Sequence, residues 1–121
     1  MLTFNEINVL GQILESSWGK ASHGIKHHLQ DNILVLRYST IVHFSEERAL
    51  TLQTRRLEEE SVEICKKRIA EIKKEFKEKA GVPLKLKERL NNDSVQLIQA
   101  SQVNPRRIAL YNRFVELTVE N

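Results

Sequence analysis

Paired cysteines, glycine-rich loops and long apolar runs are all missing from this 121-residue chain, and each absence removes a class of function. Cys65 is the single cysteine, so no internal disulfide can form, and folding in a reducing, intracellular setting is the simple expectation. The four glycines are scattered at positions 11, 19, 24 and 81, which leaves no loop of successive backbone amides to cradle a phosphate. Apolar residues nowhere continue long enough to span a bilayer, and the first residues lack the basic patch and apolar run of a secretory signal. A chain made and folded in a cytoplasm, with no membrane partner, is expected. Aromatics are only 6% of residues, so Leu, Ile and Val must build the core. The formal charge of +3 is too small to diagnose nucleic-acid binding, for which clustering would have to speak.

What is present reads as one domain over 1–121, large enough for a core without staples. Thr3 and Glu6 have the Thr-x-x-Glu spacing of a capping box, and Ile7, Leu10, Ile13 and Leu14 follow at helical intervals. A helix over 4–17 is expected, ended by Trp18-Gly19. The stretch "GKASHGIKHHLQDN" carries two glycines and three histidines without periodicity and reads as a loop, so 1–31 forms an N-terminal helix and loop. From there to the end, 32–121 holds the rest of the fold.

"NILVLRYSTIVHF" is the clearest strand: Leu34, Leu36, Tyr38, Val42 and Phe44 share one face, interrupted only by Thr40. Its other face is partly apolar through Ile33, Val35 and Ile41, which implies that something covers part of it. Ser45 is placed to cap a helix, and neither Gly nor Pro intervenes before Gly81. That helix is about 50 Å long at its usual rise. Its apolar stripe runs through Leu50, Leu57, Ile64 or Cys65, Ile69, Ile72, Phe76 and Ala80, with Thr54 and Ser61 keeping the spacing. Gly81 supplies a left-handed end and Pro83 forbids continuation.

"PLKLKERL" alternates as an amphipathic strand, Asn91-Asn92-Asp93 has turn chemistry, and "SVQLIQASQ" returns as its hairpin partner. After the Asn104-Pro105 turn, a final strand carries Tyr111, Arg113, Val115, Leu117 and Val119 on one face, with Phe114 out of phase. The fold class is therefore α+β: an N-terminal helix, a strand, one long helix, then a three-stranded antiparallel meander. The long helix packs on a four-stranded sheet, cystatin-like in shape, and is long enough to project or to meet another chain.

Chemistry is sparse. His23, His27 and His28 lack a converging fourth ligand, so no metal is assigned, and Cys65 on the apolar side of the helix reads as a buried small hydrophobe. His43 has no nucleophile or paired carboxylate to serve, so no catalytic residue, cofactor or small-molecule substrate is assigned. Basic residues are the remaining signal: between Ser61 and Arg89 ten face five glutamates. Two readings compete. In the first, the basic turn and last strand contact another protein chain through Arg106, Arg107, Tyr111, Arg113 and Phe114, since arginine and tyrosine suit interfaces. In the second, Lys85, Lys87, Arg89, Arg106 and Arg107 grip phosphates of nucleic acid, although glutamates interleave with the helix lysines and stacking aromatics are few.

The opening "MLTFNEINVLGQILESSWG" and the closing "VNPRRIALYNRFVELTVE" resemble small structural and assembly proteins of T-even-like tailed bacteriophages, marine ones especially. The resemblance implies a non-enzymatic virion subunit of head, neck, tail or decoration, acting through protein–protein contacts with other virion chains or with itself. It transfers no functional residue. A small nucleic-acid-binding or regulatory protein is the alternative.

Overall fold

The computed structural model of the chain describes residues 2–16, 24–100 and 107–121. In chain order the elements are α1 (Phe4–Ser16), β1 (Ile25–Gln30), β2 (Ile33–Phe44), α2 (Glu47–Ala80), β3 (Leu86–Ala100) and β4 (Arg107–Val119). The strands form one sheet in the order β1-β2-β4-β3, and every neighbouring pair is antiparallel. With α2 laid over β2 and β4, the architecture is the expected α+β one, a long helix on a four-stranded sheet.

Local chemistry explains the element ends. The Thr3 hydroxyl accepts from the Glu6 amide at 3.2 Å while the Glu6 carboxylate accepts from the Thr3 amide at 3.3 Å, closing the capping box that starts α1. Gly81 ends α2 at φ 77, its amide donating to the Lys77 carbonyl at 3.0 Å. The start of α2 differs from expectation. Glu46, not Ser45, is the capping residue, and no side chain caps the free amides.

Two further differences concern the strands. The histidine segment read as a loop is β1 from Ile25 onward, paired with β2 through the two-residue turn Asp31-Asn32. Asp31 takes φ 56 there, a conformation Asp tolerates better than most residues. The expected turn at Asn91-Asn92-Asp93 lies in the middle of β3, so the supposed hairpin is one 15-residue strand. Its low strand propensity is offset by polar partners on β4, described below. The sheet thus reaches four strands through β1, and the meander is a two-stranded hairpin.

The core lies between α2, α1 and the inner face of the sheet. Leu34, Leu36, Tyr38, Val42 and Phe44 of β2 are buried, as are Ala109, Tyr111, Val115, Leu117 and Val119 of β4. From the helices come Leu10, Ile13, Leu14, Leu57, Cys65, Ile72 and Phe76. Each fully buried Ile or Phe removes enough apolar surface from water to contribute about 1.5–3 kcal/mol. Full burial of α2 begins only at Leu57; Ala49 and Leu50 are half-buried and Leu52 is exposed. Gly24 is a required glycine: it has φ +75, and a Cβ there would stand 2.6 Å from the Ser39 carbonyl oxygen.

Candidate interaction site

Where α2 crosses β4, the inner faces of both elements place polar side chains opposite each other. Ser61, at a stripe position of α2, is fully buried, and Arg113 of β4 is 8% exposed. Arg113 Nε donates to Ser61 Oγ at 2.7 Å and its Nη1 donates to Asn91 Oδ1 at 2.7 Å. Asp93 Oδ2 lies 3.7 Å from Arg113 Nη2 and accepts from the Tyr111 hydroxyl at 3.2 Å. The Ser61 and Tyr111 hydroxyls are 3.1 Å apart, and Ser61 also donates to the Glu58 carbonyl. Tyr38 meets the Tyr111 ring edge-on, with centroids 6.2 Å apart. Burial pushes the Tyr38, Tyr111 and Cys65 pKa values up. Among the described residues the Ser61 oxygen meets the Glu58 carbonyl, the Tyr111 hydroxyl and Arg113 Nε, and it is fully buried. The cluster ties α2 to β4 and β3 through these side-chain hydrogen bonds.

A second polar contact fastens β1. The Arg68 Nε of α2 donates to His27 Nε2 at 3.0 Å, and Arg68 Nη1 pairs with Glu71 at 2.9 Å. Burial first, and the Arg68 charge second, lower the His27 pKa to about 4, so this imidazole is neutral at ordinary pH. His28 points to the opposite face and is exposed, and His23 lies outside the described residues. Among the described residues no three His, Cys, Asp or Glu side chains converge as metal ligands would, and no helix is long and apolar enough to cross a membrane.

The described members of the sequence-derived interface set lie on different faces and ends of the sheet. Tyr111 and Arg113 are buried on the inner face and hydrogen-bonded in the cluster under α2. Phe114 lies half-buried on the outer face, opposite Arg37, with no irregularity in β4 around it. Arg107 is exposed at the start of β4, and Arg106 lies outside the described residues. The phosphate set is likewise divided. Lys85, Lys87 and Arg89 are exposed, with Lys87 opposite Thr118, whereas Arg107 stands at the other end of the same strand, more than about 30 Å away at strand rise.

What the sequence reading missed is that the two strands it drew, up to Leu90 and from Ser94, are one edge strand, β3. Among the described residues it is the last strand of the sheet, paired with β4 on one side only. Every residue from Lys87 to Gln99 is exposed, including Leu90 (46%), Val95 (39%), Leu97 (53%) and Ile98 (55%). α2 covers β2 and β4 and leaves this inner edge open. A register shift at Glu88/Leu90 puts Val95 and Leu97 on the inner face, and a second at Leu97/Gln99 sets Ala100 opposite Arg107. The outer face of the sheet adds Ile41, 58% exposed. Comparison with models of protein families, with characterised proteins and with solved structures finds no match.

Proposed function

We propose that this chain is a non-enzymatic protein–protein interaction module, a virion structural or assembly subunit of the kind its terminal segments resemble, and that β3 is its contact element. The observation that carries the reading is the 15-residue edge strand, exposed from Lys87 to Gln99 with four exposed large apolar side chains. An edge strand offers a row of unpaired amides and carbonyls, and proteins that do not use such an edge shorten, charge or cover it. This one is long and half uncharged. A partner strand laid along it gains backbone hydrogen bonds, while alternate side chains set specificity. The buried Ser61–Tyr111–Arg113 cluster supports a non-enzymatic reading, because its groups are used in holding the helix to the sheet.

The basic residues support a nucleic-acid role less well, since their exposed members sit at opposite ends of the sheet and never form one stripe. Size-exclusion chromatography with light scattering, followed by retention on heparin or DNA over a salt series, tests the choice. Association beyond the 14.1 kDa chain, with little retention, is the expected result. A discrete 14.1 kDa species whose DNA retention falls steeply with salt would overturn it in favour of phosphate binding.

A further inference from the structure

We infer that the partner of β3 is the β3 of a second copy of this chain, paired antiparallel about a two-fold axis through Gln96, so that two four-stranded sheets join into one of eight. The inference rests on the interaction reading above and names its partner.

The two halves of β3 differ. Residues 86–93 contain Lys87, Glu88, Arg89 and Asp93, the charges by which an edge resists pairing. Residues 94–100, "SVQLIQA", carry no charge, no Pro and no Gly, and are rich in residues that pair as strands. Pairing is therefore confined to the second half. That half is close to symmetric about Gln96. An axis normal to the sheet keeps inner faces on one side, so Val95 of each copy falls opposite Leu97 of the other. Two exposed apolar side chains per chain, which α2 leaves uncovered, then cover one another. Gln96 meets its own symmetry mate, and a carboxamide both donates and accepts, so it complements itself.

Charge supports the same register. Beyond Ile98, where β3 holds one residue more than β4, Asp93 of one copy falls opposite Ala100 of the other. Ala100 in turn pairs with Arg107 on β4. Arg107 of one copy and Asp93 of the other thus stand on the same inner face two strands apart, about 10 Å between backbones, a span an arginine bridges. Arg107 is exposed, and the Asp93 carboxylate, which meets Tyr111 and Arg113 through Oδ2 and is 31% exposed, can accept a further donor at Oδ1, so the pair forms twice. The competing register, centred on Asp93 and running the length of the strand, sets two carboxylates against each other and is disfavoured.

Cysteine cross-linking reads the axis directly. In Gln96→Cys the two new thiols belong to directly opposed residues, whose Cα atoms lie about 4.5–5.5 Å apart, within disulfide reach. Ser94 and its symmetry mate stand about 13 Å apart at strand rise, too far to bridge. Cys65 is 2% exposed and does not compete for the oxidant. The expected results are a wild-type species of twice the chain mass, near-complete cross-linking of Gln96→Cys under mild oxidation, and little for Ser94→Cys. Leu97→Lys, changed at a position exposed in the single chain, should keep its melting temperature and dissociate about tenfold more readily or worse. Equal cross-linking at both positions, or none at Gln96→Cys, overturns the inference. If association persists in that case and in Leu97→Lys, the interaction reading stands with a different surface. If the wild-type chain neither associates nor cross-links but is held on DNA in a salt-dependent way, both readings fall.

Discussion

Replacing Arg113 separates the two things its side chain does under α2. The guanidinium donates at 2.7 Å to both Ser61 and Asn91 and lies 3.7 Å from Asp93, while the aliphatic stem fills space beside Tyr38 on the neighbouring strand. In Arg113→Ala both are lost. Asn91 is exposed and Asp93 partly so, and both can return to water, so the penalty for stranding them is small. Ser61 keeps the Glu58 carbonyl and the Tyr111 hydroxyl. What remains is roughly one strong charge-assisted hydrogen bond and a cavity, together about 3 kcal/mol. Arg113→Met restores most of the volume and should recover about half of that, as apolar replacements of buried ionic groups often do. For a chain of this size about 1 kcal/mol corresponds to about 4 °C in melting temperature. Thermal melts followed by circular dichroism should place Ala about 12 °C below wild type and Met between the two. A cycle with Ser61→Ala should reveal coupling of about 1 kcal/mol. Both single variants melting within about 2 °C of wild type would refute the placement of the guanidinium between helix and sheet.

Other perturbations probe the rest of the frame. Ile72 is fully buried, so Ile72→Asp places an unpaired carboxylate in the core and should abolish soluble folding; soluble protein with an unchanged melting temperature would show that α2 presents another face. Gly24→Ala combines a positive φ with a 2.6 Å clash against backbone, and should lower stability by about 2 kcal/mol or more in a denaturant titration. His27 has a pKa lowered to about 4 in the folded chain against 6.5 unfolded, so the unfolded state takes up its proton first as pH falls. Its contribution is complete above pH about 6.5 and is lost on descending to about 4, amounting to about 1–2 kcal/mol after allowance for solvent screening. His27→Gln should therefore lose less stability than wild type between pH 7 and 4.5, and equal losses would separate His27 from acid sensitivity.

Strong periodicity made α2 and β2 readable. The stripe through Leu57, Cys65, Ile72 and Phe76 and the alternation from Leu34 to Phe44 both bury as expected, because the 3.6- and two-residue periods dictate which side chains share a face. Errors arose where tertiary partners override local preference. Asn91 and Asp93 are poor strand residues in isolation, yet in β3 their oxygens accept hydrogen bonds from Arg113 and Tyr111. β1 is six residues long, and its inner row is Ile25, His27, Leu29. A histidine in the middle of that row hid the alternation, since nothing local shows that Arg68, 41 positions later, will satisfy it.

The polar cluster carried a legible sign that points inward. Ser61 held an apolar-stripe position of the helix, and Arg113 held an inner position of an alternating strand; two polar residues at buried positions of facing elements are expected to meet. Attending to display rather than phase placed Tyr111, Arg113 and Phe114 on one interface, when phase alone assigns the first two inward and the third outward. The edge was harder to foresee. Exposure of β3 follows from strand order, which sets it beyond the reach of α2, and strand order depends on the crossing from β2 through the long helix to the hairpin. Alternation cannot report which strand lies outermost. An uncharged run such as residues 94–100 reads as interior until the sheet order shows that nothing in the chain covers it among the described residues; from that point the same composition argues for a partner.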